Sequence, residues 1–300
     1  MWFRNLRIYR LAADGPADAA SLNELLAAHP LKRCGGFDMV SRGWVYPRLE
    51  GEFVHAVNRQ WLLALGVEQK LLPATVVRQE ALERAAKIEA EQNRKVGRKE
   101  LRDLRDQVTD EFLPKAFTRR RTTWGWIDPL GRWLAVDAGS DARADEFLES
   151  LGPLLDGEAL RPLQTQATPG SAMTAWLADG DAPAGFTIDR DLELKSAAGG
   201  EAAIRYVRHD LEGKEIPVHI GAGKVVTRLG LTWKDKISFV LTDKLQVKRL
   251  AFLDILREAA EQSAENADEQ FDADFALMAG ELAQMFGDLA AALGGELKPE

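Results

Sequence analysis

The sequence contains only one cysteine, Cys34, and only four histidines in 300 residues. One cysteine excludes an intrachain disulfide and a zinc cage built from thiolates, and this usage is typical of a reducing cytoplasm. The histidines show neither HxxxH nor HxH spacing, so no zinc site is predicted. We therefore expect no metal and no other cofactor, and Cys34 is predicted to be a small, half-buried residue.

Long apolar runs are also missing. No stretch approaches the 18 or more consecutive apolar residues that a membrane-spanning helix needs. Arg4 and Arg7 interrupt the first apolar segment, which favours a first β-strand over the apolar region of a signal peptide. Apolar residues make up 46% of the chain, enough for a proper core. The expectation is a cytoplasmic protein that does not contact a membrane.

Positive charge is scarce overall but unevenly distributed. A net charge of -8 argues against a nucleic-acid partner, because phosphate binding needs lysine and arginine. Residues 78–121, however, hold 13 basic and 9 acidic side chains, and residues 204–257 hold 11 basic and 6 acidic ones. Residues 258–300 hold 11 acidic side chains and one lysine. This uneven distribution permits local anion-binding surfaces on an acidic protein.

Apolar periodicity and turn residues predict a mixed α+β fold in which helical and sheet regions are segregated. The helices predicted at 75–93 and 98–112 together suggest a projecting helical arm. Strands are predicted at 2–11, 43–47, 60–65, 202–208, 225–233 and 236–241, with a hairpin within 122–136. Further helices are predicted at 18–28, 141–155, 171–178, 247–262 and 271–293.

Four regions follow from these elements, with approximate boundaries and one continuous domain as the alternative. They are a sheet-plus-helix region at 1–74, a helical arm with a basic turn at 75–121, a sheet-plus-helix unit with an irregular stretch at 122–200, and strands, a basic face and an acidic helix at 201–300.

Little in the sequence indicates an enzyme. The string Gly221-Ala-Gly-Lys224-Val-Val lacks the upstream glycine and the following hydroxyl residue of a nucleotide-binding P-loop. It is either a simple turn leading into a strand or a glycine loop whose amides and lysine meet a DNA phosphate. No nucleophile elbow or Ser/His/Asp set is recognisable. Asp272 and Asp274 are interpreted as the acidic start of a helix.

The most concentrated charge lies at Lys115-Ala-Phe-Thr-Arg119-Arg-Arg121, with four cations in seven residues. Pairing at i,i+4 spacing cannot neutralise them, because no acid lies between Glu111 and Asp128. Phosphate is a natural partner, and a solvated cationic turn is the alternative. Phe117 within this run is predicted to be either tucked into its own core or presented to a partner.

Seven strings along the chain resemble the bacterial recombination-associated protein RdgC family, in the same order and over nearly the whole length. They are Trp2-Phe3-Arg4-Asn5-Leu6, Gly43-Trp44-Val45, Leu113-Pro114-Lys115-Ala116-Phe117, Trp126-Ile127-Asp128, Glu193-Leu194-Lys195-Ser196, Ala222-Gly223-Lys224-Val225-Val226-Thr227-Arg228-Leu229 and Phe271-Asp272-Ala273-Asp274-Phe275-Ala276-Leu277-Met278.

The resemblance implies an elongated, horseshoe-shaped subunit that closes as a ring-shaped homodimer around duplex DNA. Family members bind DNA without sequence preference and limit access of the RecA recombinase. By position, Phe117 resembles the apolar plug of a dimer contact and Lys224 a basic residue facing the hole. Arg94, Lys115 and Arg208 with His209 fall where the family places polar or basic contacts. The chain departs from the family pattern in its three adjacent arginines, Arg119, Arg120 and Arg121, and in Gly221.

The sequence therefore predicts a non-enzymatic, sequence-independent DNA-binding protein associated with the nucleoid. Its expected partners are double-stranded DNA, with single-stranded DNA as a further candidate, a second copy of the chain, and RecA as a functional antagonist. The predicted DNA-binding residues are Arg94, Lys115, Arg119, Arg120, Arg121, Arg208, His209, Lys224 and Arg228, and the predicted dimer contact is Phe117. A regulator that binds an acidic protein partner through the same surface is the main alternative.

Overall fold

The computed structural model describes residues 1–11, 18–155, 160–197, 202–211, 213, 215–261 and 266–297. Within these residues, twelve strands form one sheet in which every pairing is antiparallel, and helices cover parts of both its sides. The mixed α+β class predicted from the sequence is confirmed. The horseshoe outline, the ring and the four-region division stay predictions.

The first six strands are β1 (Leu6–Leu11), β2 (Val40–Val45), β3 (Val54–Val57), β4 (Gln60–Lys70), β5 (Thr118–Asp128) and β6 (Trp133–Asp137). The others are β7 (Leu160–Pro162), β8 (Phe186–Ser196), β9 (Ala203–Tyr206), β10 (Lys224–Trp233), β11 (Ile237–Thr242) and β12 (Val247–Phe252). The helices are α1 (Ala19–Ala27), α2 (Ala74–Gln92), α3 (Arg98–Phe112), α4 (Asp141–Leu151), α5 (Pro169–Asp179), α6 (Glu215–Gly221), α7 (Asp254–Glu261) and α8 (Ala267–Ala292).

The sheet consists of two halves joined at the first strand. Its order is β2-β4-β5-β6-β1-β12-β11-β10-β8-β9, while β3 also pairs with β4 and β7 with β1. The contact between β1 and β12 is short, with one registered pair, Leu6 and Val247, and a hydrogen bond from Leu250 N to Arg4 O. The N-terminal strand is therefore the seam between strands from the two ends of the chain.

Three apolar clusters stabilise the fold. The largest lies on one side of the sheet, spans both halves, and includes Phe275, Leu282 and Phe286 of α8. A second cluster lies on the other side of the N-terminal half, under α1 and α4. The third joins α2 to α3 through residues such as Val77 and Leu104 and is separate from the other two. Within the described residues, the apolar clusters thus cover both sides of the sheet only in its N-terminal half.

Helix α8 carries six carboxylates and no basic residue, yet its apolar stripe is fully buried. Asn266 caps it by accepting hydrogen bonds from the amides of Asp268 and Glu269, which place negative charge at the positive end of the helix dipole. The helix therefore begins one turn before Phe271. The interpretation of Asp272 and Asp274 as the helix start is wrong, because both carboxylates bind groups elsewhere in the fold.

The predicted helix at 247–262 is also wrong over its first half, where β12 forms, and Gln262 lies outside the described residues. Val247, Leu250, Leu253 and Leu256 recur every third residue, which suggested a helix. A bulge explains the spacing, because the register between β11 and β12 shifts by one residue at Arg249, whose φ is +51°. The extra residue lets Val247 and Leu250 both face the core.

Candidate nucleic-acid interface

The C-terminal half of the sheet has one side that no core cluster of the described residues covers. Leu229 and Leu231 of β10 point into the large cluster, so strand alternation places Arg228, Gly230 and Thr232 on the opposite side. We call this side the open face. Its charged residues include Asp189, Asp191, Glu193, Lys195, Arg205, Arg228, Lys248 and Arg249.

Three cations converge where the open face meets the seam. Burial lowers the pKa of Lys248, and the positive charges of Arg7 and Arg228 lower it further. Lys248 Nζ donates to Gly139 O at 2.8 Å, and Arg7 binds Asp141 at 2.8 Å. Arg228 makes no ion pair with a carboxylate of the described residues. A concentration of like charge with one free guanidinium favours an incoming anion such as phosphate.

Two carboxylates organise the rest of the open face. Glu193 is buried, and although burial alone would raise its pKa, hydrogen bonds from Arg205 and Thr227 lower it. Arg205 Nε lies 2.5 Å from Glu193, and Arg249 Nη1 lies 3.0 Å from Asp191. Both arginines remain about two-thirds exposed in their side chains. The carboxylates therefore fix the position of these cations while leaving donors available to a ligand.

A second cationic region lies on the same side of the sheet in the N-terminal half. Arg42, Arg119, Arg120, Arg121 and Arg143 line a cleft of about 890 Å³ at the first turn of α4, which we call the arginine cleft. Helix α4 approaches β5 closely there because Gly125 has no side chain; a Cβ atom would lie 2.2 Å from the Phe147 ring.

The two regions meet at the beginning of α4. Ser140 lines the arginine cleft, and Gly139, one residue earlier, accepts the hydrogen bond from Lys248. Acidic side chains are present as well, since Glu146 lies 2.9 Å from Arg42 and 2.5 Å from Arg121. The open face and the arginine cleft therefore form a continuous but partly neutralised cationic surface.

The three adjacent arginines do not form a cationic turn. They lie on β5, and alternation sends Arg120 to one side and Arg119 and Arg121 to the other. Arg120 binds Glu68 of β4, whereas Arg121 binds Glu146 of α4. Glu68 and Glu146, both distant in the sequence, thus neutralise two arginines that have no acid nearby in the sequence. Among the described carboxylates, none pairs with Arg119.

Arg208 and His209 follow β9 at the margin of the open face. The Arg208 amide donates to Asp191 Oδ1 at 3.1 Å, the same carboxylate that binds Arg249. The His209 ring packs against Tyr206, with 5.3 Å between ring centroids, and its Nδ1 lies 2.7 Å from Asp210 O. The backbone of Arg208 thus lies beside the open face, through the same aspartate that binds Arg249.

Lys224 is the first residue of β10 and follows Gly223, whose φ of +80° suits glycine. The glycine string thus connects the end of α6 to a strand, as expected for a turn leading into a strand, and does not open a helix. Alternation places Lys224 on the side of Val226, opposite to Arg228. Lys224 therefore lies at the end of an internal strand, on the side of the sheet opposite to the open face.

The remaining predicted residues lie on or beside the helical hairpin of α2 and α3. Arg94 makes two hydrogen bonds of 2.6 Å to the Glu100 carboxylate, so its charge is compensated locally. Lys115 is exposed in the turn after α3 and has no ion pair among the described acids. Phe117 is 85% exposed. Of the two predicted placements for Phe117, the structure shows the exposed one.

Sequence reasoning missed several cations that complete the surface. Lys248 and Arg249 were assigned to a helix, so their place on a sheet face was not foreseen. Arg205 lies in the strand predicted at 202–208, where alternation with Ile204 and Tyr206 could have identified its side. Arg42 and Arg143 approach the arginine cleft only through tertiary packing. Strand alternation was therefore the one available signal.

Two kinds of feature, metal clusters and membrane-spanning helices, are missing from the described residues. No group of three or more histidine, cysteine, aspartate or glutamate side chains within them has the arrangement to hold a metal ion. No helix among them is long and apolar enough to cross a membrane. Cys34 is half-buried, as predicted, and its Sγ lies 3.2 Å from Glu68 O.

Comparison with known proteins gives a consistent result over the full chain. A family model described as "Putative exonuclease, RdgC" matches residues 1–296. The recombination-associated protein RdgC of Dechloromonas aromatica is 54% identical over 300 residues, with 99% of each chain covered. The proteins of the same name from Janthinobacterium sp. and Herminiimonas arsenicoxydans are 49% and 50% identical, again over 99% of each chain. The chain therefore belongs to the RdgC family of recombination-associated proteins.

Proposed function

We propose that this protein binds DNA without sequence preference, as a ring-shaped homodimer that encircles the duplex and limits recombination by RecA. The observation that carries the proposal is the open face, where Arg228, Lys248 and Arg249 lie on a sheet surface that no helix of the described residues covers. The arginine cleft extends this surface past the beginning of α4. The relatives' shared name supports a role in recombination.

The charge distribution across the sheet favours DNA on one side. The acidic helix α8 packs on the side opposite to Arg228. Phosphate groups would be attracted to the open face and repelled by the exposed carboxylates of α8. Cations that contact only phosphates position a duplex without reading its bases, so many sequences should bind almost equally.

The individual contacts are part of the proposal. Arg228 and Arg119 have no partners among the described carboxylates and supply the strongest phosphate contacts. Arg208, His209 and Arg121 add contacts along the same surface. Arg120 and Lys224, on the other side of the sheet, and Lys115 and Arg94, on or beside the helical hairpin, contact the DNA backbone from the margins of that surface. Phe117, exposed beside the start of β5, packs against the second subunit.

Salt dependence tests the phosphate model. With about 6 to 10 phosphates neutralised per dimer, affinity falls by roughly 10³ to 10⁵ between about 50 and 200 mM salt. A mobility shift on unrelated duplexes at several salt concentrations measures this slope and the absence of sequence preference. A shallow slope, or affinities that differ strongly between sequences, would argue against the model. An acidic protein partner in place of DNA predicts no retained duplex even at low salt.

Circular DNA tests the ring. Protein loaded at low salt onto a closed circle should remain bound when the salt is raised, because a closed ring cannot leave a circle by sliding. Cutting the circle once should release it. Equal loss from circular and linear DNA would contradict encirclement while leaving surface binding intact.

A nuclease assay tests the non-enzymatic part of the proposal, since the family model's description includes an exonuclease. End-labelled single and double strands incubated with the protein and Mg²⁺ or Mn²⁺ should keep their full length. A nuclease activity that shortens the strands would overturn this part of the proposal if it co-purifies with the protein and is lost in a variant of the DNA-binding surface.

A further inference from the structure

A cleft of about 960 Å³ lies where the residues before β1 run beside β12 and the first turns of α8. It includes the string Trp2 to Asn5, to which the DNA-binding proposal assigns no role. Trp2, Arg4, Asn5, Phe252 and Gln270 are among its lining residues. The cleft thus brings aromatic rings, a guanidinium and two carboxamides together.

The aromatic part of the cleft is rigidly placed. Trp2 is half-buried, and its ring centroid lies 4.6 Å from that of Phe252, which is itself buried in the core. The Phe252 ring therefore supports the Trp2 ring from the core, while part of the Trp2 ring remains exposed. Such a supported indole is a stacking surface that loses little side-chain entropy when a planar ligand binds.

The polar part of the cleft suits a nucleotide. Arg4 is exposed and makes no ion pair with a described carboxylate. The one acid in the lining, Asp274, binds the N-terminal ammonium of Met1 and accepts from Gln270 Nε2 at 2.8 Å, so its charge is compensated. The cleft therefore presents a free cation for phosphate and carboxamides able to hydrogen-bond a base edge.

The cleft adjoins the surface assigned to DNA. Arg249 lines both the cleft and the open face, and its guanidinium pairs with Asp191 on the open face at 3.0 Å. A strand whose phosphates lie along the open face could place a neighbouring base in the cleft. The aromatic and cationic groups alone would also suit an acidic peptide. The continuity with the open face favours a nucleic-acid ligand instead.

We propose that the cleft holds an unpaired base of single-stranded DNA, stacked on Trp2 with its phosphate near Arg4. Bases within a duplex are stacked on one another and have no free face. The cleft therefore binds bases of single strands only. The proposal rests on the proposed DNA-binding function, and it adds a separate site for unpaired bases.

Affinity for a labelled oligothymidylate and for a labelled duplex, measured by fluorescence anisotropy at one salt concentration, tests the site. We expect Trp2→Ala to weaken oligothymidylate binding about tenfold, the usual effect of removing one stacked base, and to leave duplex affinity unchanged. Trp2→Phe should retain most of the affinity because it keeps a ring. Trp176→Ala, which removes another half-buried tryptophan, should affect neither substrate.

Arg4→Ala gives a test that does not depend on core packing, since Arg4 is exposed. It should lower the affinity for the oligothymidylate several-fold more than the affinity for the duplex. Equal oligothymidylate affinity in the wild type and in both variants would overturn the site, leaving duplex binding and the proposed function standing. Equal losses on both substrates would also overturn it. A wild-type protein that binds neither DNA would overturn the site and the proposed function together.

Discussion

At the scale of single residues, DNA binding depends more on whether a carboxylate already neutralises an arginine than on whether that arginine lies in a basic run. Arg120, Arg121 and Arg94 each have a carboxylate partner, whereas Arg228 has none among the described residues. A cation that is already paired gains less from a phosphate than a free one does. Loss of Arg228, which lies on the open face and near Lys248, should therefore be clearly visible in DNA binding.

We predict that Arg228→Ala lowers duplex affinity about tenfold, since a hydrogen bond to a charged group contributes about 1.5 kcal/mol. The decrease should be the same for unrelated sequences, and the slope of log affinity against log salt should fall by about 0.9. Titrations of two duplexes at several salt concentrations measure both effects.

Arg84→Ala is the matched control for Arg228→Ala. It removes the same charge from a guanidinium that binds Glu80 and Glu111, both at 2.8 Å, on the helical hairpin. Its salt slope should equal that of the wild type. If the two variants lose equal affinity, overall charge controls binding and the open face has no special role.

Glu68 provides a prediction on pH. Hydrogen bonds from the Cys34 amide and from Arg120 lower the pKa of this buried carboxyl below its ordinary value of 4.5. Its folded-state pKa is thus below the unfolded one, so its contribution to stability is present above about pH 4.5 and is lost as pH falls through the folded value.

Glu68→Gln should therefore lower Tm near neutral pH and converge with the wild type in acid. Thermal unfolding followed by circular dichroism from about pH 3 to pH 7 measures this difference. A Tm difference that is constant across the whole range would show that the loss comes from packing or hydrogen-bond geometry and not from the carboxylate charge.

At the scale of elements, the hairpin of α2 and α3 has its own apolar cluster, apart from the two clusters that pack on the sheet. Leu104 is buried in it. Leu104→Ala should remove about 2–5 kcal/mol of packing from the hairpin. Because the clusters are separate, we predict that hydrogen exchange accelerates in α2 and α3 while β4 and β5 keep their protection.

Leu282→Ala in α8 serves as the comparison, because Leu282 is buried in the cluster that spans both halves of the sheet. It should accelerate exchange throughout the sheet. A Leu104→Ala variant that loses protection in the sheet to the same extent would show that the hairpin unfolds only with the rest of the molecule.

The sequence predicts the hairpin well and β12 poorly, for physical reasons. The predicted bounds of the second arm helix, 98–112, agree with α3, since Leu101, Leu104, Val108 and Phe112 follow helical spacing closely. In β12 the bulge at Arg249 imitates that spacing. A bulge depends on the partner strand, so periodicity within one segment cannot reveal it.

The candidate site was predictable only in part. Arg228 and Arg208 were named from the sequence, and both lie at the open face. Lys248, Arg249 and Arg205 were not named, although the basic balance of residues 204–257 pointed to the region. Side-chain direction and distant acids decide which cations remain available, and both come from the tertiary fold.

At the scale of the whole molecule, self-association is the property to test. Phe117 is 85% exposed at the start of β5, outside the core clusters of the described residues. Phe117→Ala should leave Tm almost unchanged and weaken the dimer by about 2 kcal/mol or more, roughly thirtyfold, if the ring fills a pocket of the second subunit. Analytical ultracentrifugation over a range of concentrations measures this change.

Leu130→Ala is a control for Phe117→Ala, because Leu130 is 71% exposed beyond the opposite end of β5. It should not alter self-association. Retention on closed circular DNA should decrease with Phe117→Ala only, since a weaker contact opens the ring more often. Unchanged dimer strength in Phe117→Ala would reject the role assigned to Phe117.

The position of β1 at the seam has a consequence for how the chain is made. This strand precedes its neighbours β6 and β12 by about 120 and 240 residues, so it is synthesised well before either of them. The part of its edge around Leu6 must therefore wait for β12. An unpaired apolar edge can join another chain, so we expect this strand to need protection by a chaperone during translation.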